Sequence, residues 1–276
     1  MTLTFPIRSD KLTMSVAASA HLASVRSRFQ QIDVYDTEVF GRVLLLDGHV
    51  QLAEFDERAY HESLVWIPLI NLESPKSALV VGGGDGGVIR ELCKHSGLVQ
   101  IDMVEIDDEV VRVCREFLPA VSGGAFDDPR VRLHIDDAFE FVRCSTVTYD
   151  LVIVDCTDVY EEEDGELSER LFTQEFYSDV ARRLTPGGMV VTQGDNPVFC
   201  PYSLEEISSL FGSVFPRTGT YWASVPSFGG CSGFCWGSKG RAVEPQREFR
   251  FDDVSLAYLN HATYQTSLSK LPFPLP

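Results

Sequence analysis

Positive charge is scarce in this chain: 23 lysines and arginines stand against 41 aspartates and glutamates in 276 residues, a formal net charge of -18 at pH 7. A protein that grips a phosphate backbone needs a basic stripe, and none is present, so a nucleic-acid partner is not expected. Paired cysteines are missing too. The seven cysteines are an odd set without C-x-x-C spacing. The closest two, Cys231 and Cys235, lie in a Gly/Ser-rich stretch with no histidine nearby, so no metal site is read there. Nothing resembles a secretory leader. The longest apolar stretch, Ser63 to Leu72, is interrupted by Pro68 and followed by Glu73, so no membrane span is expected. These absences lead to the expectation of a soluble protein in a reducing, cytoplasmic compartment, with a core large enough to need no disulfide. The acidic balance favours a cationic ligand, although it also serves solubility alone.

Two kinds of pattern follow along the chain. From Arg28 to Ala53 short β-type runs, Phe29 to Tyr35 and Arg42 to Leu46, flank Asp47-Gly48, which suits a tight hairpin. Residues 1–55 are therefore read as a small antiparallel β domain. Asp56 to Asn71 reads as a helix that Pro68 must bend or end. Residues 56–276 then alternate strand and helix. The expected strands are Ala78–Val81, Ile101–Val104, Val131–Ile135, Leu151–Val154 and Met189–Thr192. The helices between them are Val88–His95, Glu109–Phe117, Ala138–Arg143 and Phe176–Leu184, the last closed by Pro186-Gly187-Gly188. Continuous apolar strands separated by helices imply a parallel sheet covered on both faces, an α/β, Rossmann-like doubly wound plan of the class I methyltransferase type. A helix from Leu204 to Phe211 precedes two runs, Thr220–Val225 and Gly233–Gly237, expected to pair as an antiparallel hairpin at the sheet edge. There is no internal repeat, and the tail after Gly240 carries no clear pattern.

In such sheets ligands bind beyond the carboxyl ends of the strands. The residues there are acidic: Asp85 after the first strand, Glu105 and Asp107 after the second, Asp136 and Asp137 after the third, Asp155 and Asp158 after the fourth. Gly82, Gly84 and Gly87 fit G-x-G-x-x-G, with Glu105 about twenty residues on, where a ribose-binding carboxylate belongs. No Lys-Ser/Thr follows, which excludes a P-loop. The glycine run alone would serve a nicotinamide dinucleotide, an adenosyl sulfonium or a plain tight turn. Asp85 separates these: a carboxylate opposes a pyrophosphate and welcomes an ammonium or sulfonium.

Phe29-Gln30, Leu46-Asp47-Gly48, Tyr60-His61-Glu62, Val81 to Gly87, Val104 to Asp107, Ile135-Asp136-Asp137 and Val154 to Asp158 together resemble the polyamine aminopropyltransferases, the spermidine synthase family. The likeness runs from about residue 20 to about residue 240. It implies transfer of an aminopropyl group from decarboxylated S-adenosylmethionine to a diamine, putrescine first, giving spermidine and methylthioadenosine. Further implications are no cofactor beyond that co-substrate, no metal, and a homodimer or homotetramer. Gln30, Gly82, Gly84 and Glu105 would hold the donor's nucleoside, Asp137 and Ala138 would face its adenine, and Asp85 would grip the ammonium of the transferred group. Tyr60, His61, Asp155 and Asp158 would line the acceptor channel, with Asp85 and Gln193 beside it.

Asp155, assisted by Tyr60 and Asp158, is the candidate general base. An amine like that of lysine has a pKa near ~10.4, so presenting it neutral at pH 7 costs roughly 3.4 units, about 4.6 kcal/mol. A carboxylate at a buried strand end can take that proton.

Two stretches depart from the family pattern. Where Pro-x-Gly-Pro is usual, Val159 to Arg170 form a longer, acidic loop, read here as a lid that attracts polyamines or as a solvated insertion. Pro226-Ser227-Phe228 replaces the usual Pro-Thr-Tyr, so one acceptor hydroxyl contact is absent. Rival readings are a different or longer amine acceptor, an N-methyltransferase using intact S-adenosylmethionine, a polyamine-binding protein without turnover, and a nicotinamide oxidoreductase.

Overall fold

The computed structural model describes residues 1–8, 11–157, 169–245, 247 and 254–271. Asp158 and the acidic segment through Ser168 lie outside the described residues.

Five antiparallel strands, β1 (Thr2–Arg8), β2 (Leu12–Arg26), β3 (Gln31–Thr37), β4 (Gly41–Leu46) and β5 (His49–Ala53), form the first sheet in sequence order. The β4–β5 turn is Asp47-Gly48, with φ of 45° and 83°, the doubly left-handed geometry that matches the twist of a hairpin. The sequence reading began at Arg28 and so missed β1 and β2. Most of β2 is exposed or half-buried, and its Ser/Ala-rich run carries little hydrophobic alternation. Pro6 is tolerated because β1 is an edge strand. One face of this sheet encloses Leu3, Phe5, Val43 and Leu45.

Helix α1 (Glu57–Asn71) leads into the second sheet, and every residue of it except Arg58 is buried. The helix runs three residues past Pro68, held by packing on both sides rather than by propensity. Then come β6 (Ser77–Gly82), α2 (Gly87–Cys93), β7 (Gln100–Glu105), α3 (Asp108–Phe117), α4 (Pro119–Ser122), β8 (Val131–Ile135), α5 (Ala138–Cys144), β9 (Tyr149–Asp155), α6 (Gln174–Arg183), β10 (Leu184–Gln193), α7 (Pro201–Val214), β11 (Arg217–Val225), β12 (Gly230–Ser238) and α8 (His261–Ser267). Seven strands lie in the order β11-β12-β10-β9-β6-β7-β8. β10, β9, β6, β7 and β8 are mutually parallel, whereas β12 pairs antiparallel with β10 and β11. This is the doubly wound sheet with an edge hairpin expected above. The strand β10 starts earlier than expected: its ladder to β9 opens at Leu184, shifts register across Pro186-Gly187-Gly188 and resumes at Met189.

Alternation along the strands divides the core. Ala78 and Val80 face a layer containing Trp66, Ile89, Tyr221 and Phe234. Leu79 and Val81 face the opposite layer of Val142, Phe176, Tyr177 and Phe211. The first sheet docks through Ile32, Val34, Leu44 and Leu52 onto Val110, Val113 and Cys114 of α3. The tail also has structure. The buried carboxylate of Glu62 accepts the backbone N–H groups of Ala257, Tyr258 and Leu259 at 2.7, 2.8 and 2.8 Å, and Asn260 caps α8.

Candidate active site

The chain reverses its winding direction between β6 and β9, so their carboxyl ends frame the crevice where an α/β sheet binds ligands. At that point Gly82 pairs with Asp155. A Cβ on Gly82 would stand 2.3 Å from the Asp155 carbonyl oxygen, and Gly82 has φ 80°, so only glycine suits this position. The turn after β6 brings Asp85 back over the strand end, and its Oδ1 accepts the Gly87 N–H at 2.6 Å.

From α1, Tyr60 Oη donates to Asp155 Oδ1 at 2.6 Å. One residue on, His61 is buried between two carboxylates: Nδ1 lies 2.7 Å from Glu57 Oε2 and Nε2 lies 3.4 Å from Asp85 Oδ1. Arg90 of α2 completes the row with its own pair to Glu57 at 2.8 Å. Ligand atoms of His61, Asp85 and Asp155 all lie within 4.8 Å of one another. Such a cluster attracts cations, but the imidazole already faces a carboxylate at each nitrogen, which suits a bound proton better than a metal.

The electrostatics separate the carboxyls. Burial, reinforced by the Asp85 charge, pushes Asp155 up to about 6, while His61 and the Tyr60 hydrogen bond oppose the rise. Burial likewise raises Glu105 to about 7, opposed by backbone N–H groups of Asp107 and Ile106. For His61 burial acts downward, yet the Asp85 and Glu57 carboxylates outweigh it and lift the imidazole to about 10. Glu57, although buried, is drawn down to about 2 by His61 and Arg90. At neutral pH the row therefore reads Arg90 positive, Glu57 negative, His61 positive.

The remaining candidates divide. Glu105 ends β7 beneath the glycine turn, where a Cβ on Gly84 would come within 3.0 Å of its Oε2. Gln30 and Ser27 of the first sheet hydrogen-bond Asp107 Oδ2 at 2.9 and 2.7 Å. Asp107 also caps α3, so this acid ties the two sheets together. Asp137 caps α5 and pairs with Arg170 at 2.9 Å, with the guanidinium over Phe139 beside the buried Ala138. The acidic rim therefore includes an arginine partner that strand-end counting did not show. Gln193 Nε2 donates to the Cys156 carbonyl at 3.0 Å and its Oε1 accepts the Asp195 N–H at 3.0 Å, so it braces the loop after β9. Beside Tyr60 a narrow pocket is lined by Gln51, Leu52, Ala53, Asp56, Glu57, His61, Val225 and Phe228. Sequence reading missed Glu57 and Arg90. The i, i+4 spacing of Glu57 and His61 on an expected helix was the available signal for the first.

Residues 57–246 match the spermine/spermidine synthase domain, and residues 5–54 match the spermidine synthase tetramerisation domain. The chain belongs to the spermine/spermidine synthase family. It is thus a polyamine aminopropyltransferase, a transferase of polyamine biosynthesis. It is 36% identical over 266 residues to the polyamine aminopropyltransferase of Bacillus subtilis (strain 168), covering 96% of this chain and 92% of the relative. With that of Moorella thermoacetica it shares 37% over 268 residues, covering 97% and 93%. The fold superposes with TM-score 0.90 on a spermidine synthase in complex with the transition state analogue AdoDATO, at 27% identity, covering 98% of this chain and 92% of that one. For the spermidine synthase of Thermotoga maritima the TM-score is 0.88, again at 27% identity, covering 98% and 91%. Among the described residues no helix is long and apolar enough to cross a membrane.

Proposed function

We propose that this aminopropyltransferase joins decarboxylated S-adenosylmethionine to putrescine, with Asp155 as general base. The observation that carries the reading is the Tyr60–Asp155 pair at the switch point, a carboxyl raised to about 6 and next to Asp85. A base of that pKa is ionised at neutral pH yet basic enough to take a proton from an ammonium as the nitrogen attacks. The nitrogen–carbon bond forms while the carbon–sulfur bond breaks. The sulfonium leaves as neutral methylthioadenosine, and the proton passes to Asp155. The reaction requires alignment and deprotonation only.

Gln30, Gly82, Gly84 and Glu105 are assigned to the donor's nucleoside, Asp137 and Ala138 to its adenine, and Asp85 to the ammonium of the aminopropyl chain. Intact S-adenosylmethionine would bring its carboxylate toward Asp85 and Asp155, which disfavours methyl transfer. Tyr60, Asp155 and Asp158 are assigned to the acceptor, with Gln193 bracing its channel and Phe228 closing an apolar end. Residues 1–55 serve as the assembly domain of a homo-oligomer, and residues 56–276 carry the chemistry.

The test is an acceptor screen with the decarboxylated donor, reading methylthioadenosine release with putrescine, cadaverine, agmatine, norspermidine and spermidine. Putrescine should give the highest kcat/KM. A longer amine ahead by tenfold would overturn the acceptor assignment, and no release with any amine would overturn the reaction.

A further inference from the structure

The glycine turn leaves one oxygen of Asp85 committed and one free. Oδ1 receives the Gly87 N–H at 2.6 Å and faces His61 Nε2 at 3.4 Å. Oδ2 has no hydrogen-bond partner among the described residues. His61 itself cannot drift. Its other nitrogen is held by Glu57 at 2.7 Å, and Glu57 is clamped by both terminal nitrogens of Arg90, at 3.0 and 2.8 Å. The ring lies flush on Gly87: a Cβ there would come within 2.2, 2.4 and 2.5 Å of Cε1, Nδ1 and Nε2. The last glycine of the G-x-G-x-x-G run thus makes room for an imidazole as well as for the start of α2.

We propose that His61 is a fixed cation that aims the Asp85 carboxylate, and that Glu57, acting through His61, is the positioning residue that holds it. The row Arg90, Glu57, His61, Asp85 alternates in charge across four side chains from α1, α2 and the glycine turn. Its last member offers Oδ2 to the incoming ammonium with the carboxylate already oriented, so little ordering remains to be done when the donor binds. The inference rests on the assignment of Asp85 to the donor's ammonium. It also changes the expected role of His61, from acceptor ligand to donor-side support.

Methylthioadenosine shares the donor's nucleoside and lacks the ammonium, so it separates positioning from general damage to the site. The experiment compares the Kd of the decarboxylated donor and of methylthioadenosine for the wild type, Asp85→Asn, Glu57→Gln and His61→Gln. Loss of one charge-assisted contact weakens binding roughly tenfold to a hundredfold. Asp85→Asn should weaken the donor by that amount and leave methylthioadenosine within about twofold. Glu57→Gln and His61→Gln should follow the same pattern at about tenfold. Equal weakening of both nucleosides by both glutamine variants would make the role merely structural and overturn the proposal. Unchanged donor affinity, with only the acceptor KM raised, would return His61 to the acceptor and also overturn it. Should Glu57→Gln fail to fold, His61→Gln carries the same comparison. If Asp85→Asn itself spares the donor, the fault lies in the assignment of Asp85 and not in the row behind it.

Discussion

The hydroxyl of Tyr60 and the carboxylate of Asp155 meet at 2.6 Å although 95 residues separate them in the chain. The hydrogen bond stabilises the ionised carboxylate and holds down a pKa that burial and Asp85 push up to about 6. Tyr60→Phe should therefore move the acid limb of the pH–rate profile upward. The base works when deprotonated, so activity falls as pH drops through its pKa, and a higher pKa means loss beginning at higher pH. The phenyl ring keeps its contacts with Phe228 and Phe234, so kcat should fall only about tenfold, the scale of one lost hydrogen bond to a charged group. A profile that stays in place would separate Tyr60 from the base.

With Asp155 as the proposed general base, Asp155→Asn takes the proton acceptor away. Turnover should fall by at least roughly a hundredfold, while methylthioadenosine still binds. Single-turnover kinetics with saturating donor would measure the first, and calorimetry the second. Near-normal turnover would exclude Asp155 as the base.

Glu62 predicts a stability effect without a catalytic one. Three backbone N–H groups converge on its buried carboxylate, the one of Leu259 buried and those of Ala257 and Tyr258 nearer the surface. Glu62→Ala therefore removes three hydrogen bonds to a charged group, worth about 1.5–3 kcal/mol where buried and less where water can take the place of the carboxylate. Urea unfolding should show a loss of about 3–5 kcal/mol. Glu62→Gln, which keeps one acceptor oxygen, should lose about half as much. Equal losses in the two variants would contradict the backbone-anchor role.

Gly87→Ala should fail for a local reason. The new methyl would overlap the His61 ring, and either α2 or the imidazole must move, costing about 1–3 kcal/mol or more and weakening the donor. Gly212→Ala on α7 meets nothing within 4 Å and should be neutral or stabilising by up to about 1 kcal/mol. Matching thermal shifts in the two variants would show that backbone freedom, not the His61 contact, sets the cost at Gly87.

The strands β6, β7 and β9 and the helices α2, α3 and α5 were legible from residue order, because each buries apolar residues whose spacing is local. The Asp47-Gly48 hairpin, the edge hairpin and the strand-end acids were legible for the same reason. β8 was legible too, although it is an edge strand with no buried residue, and the short α4 was not. Strand β2 was not either, since small residues on a largely exposed surface leave little contrast to read, and in β1 Pro6 interrupts the short alternation of buried Leu3 and Phe5 with exposed Thr2 and Thr4. The anchor of the tail was invisible as well: Glu62 meets Ala257 only after the chain has folded.

Sequence alone settled which acids stand at the strand ends and that basic residues are too few to form a phosphate-binding stripe. Tertiary structure decided what each acid meets. Asp107 ties two sheets together and Asp137 is taken by Arg170, while Asp155 is desolvated beside Asp85 and Asp85 is backed by His61. A carboxylate's charge state and orientation depend on burial and on neighbours a few ångströms away. Those neighbours come from segments that local pattern cannot pair.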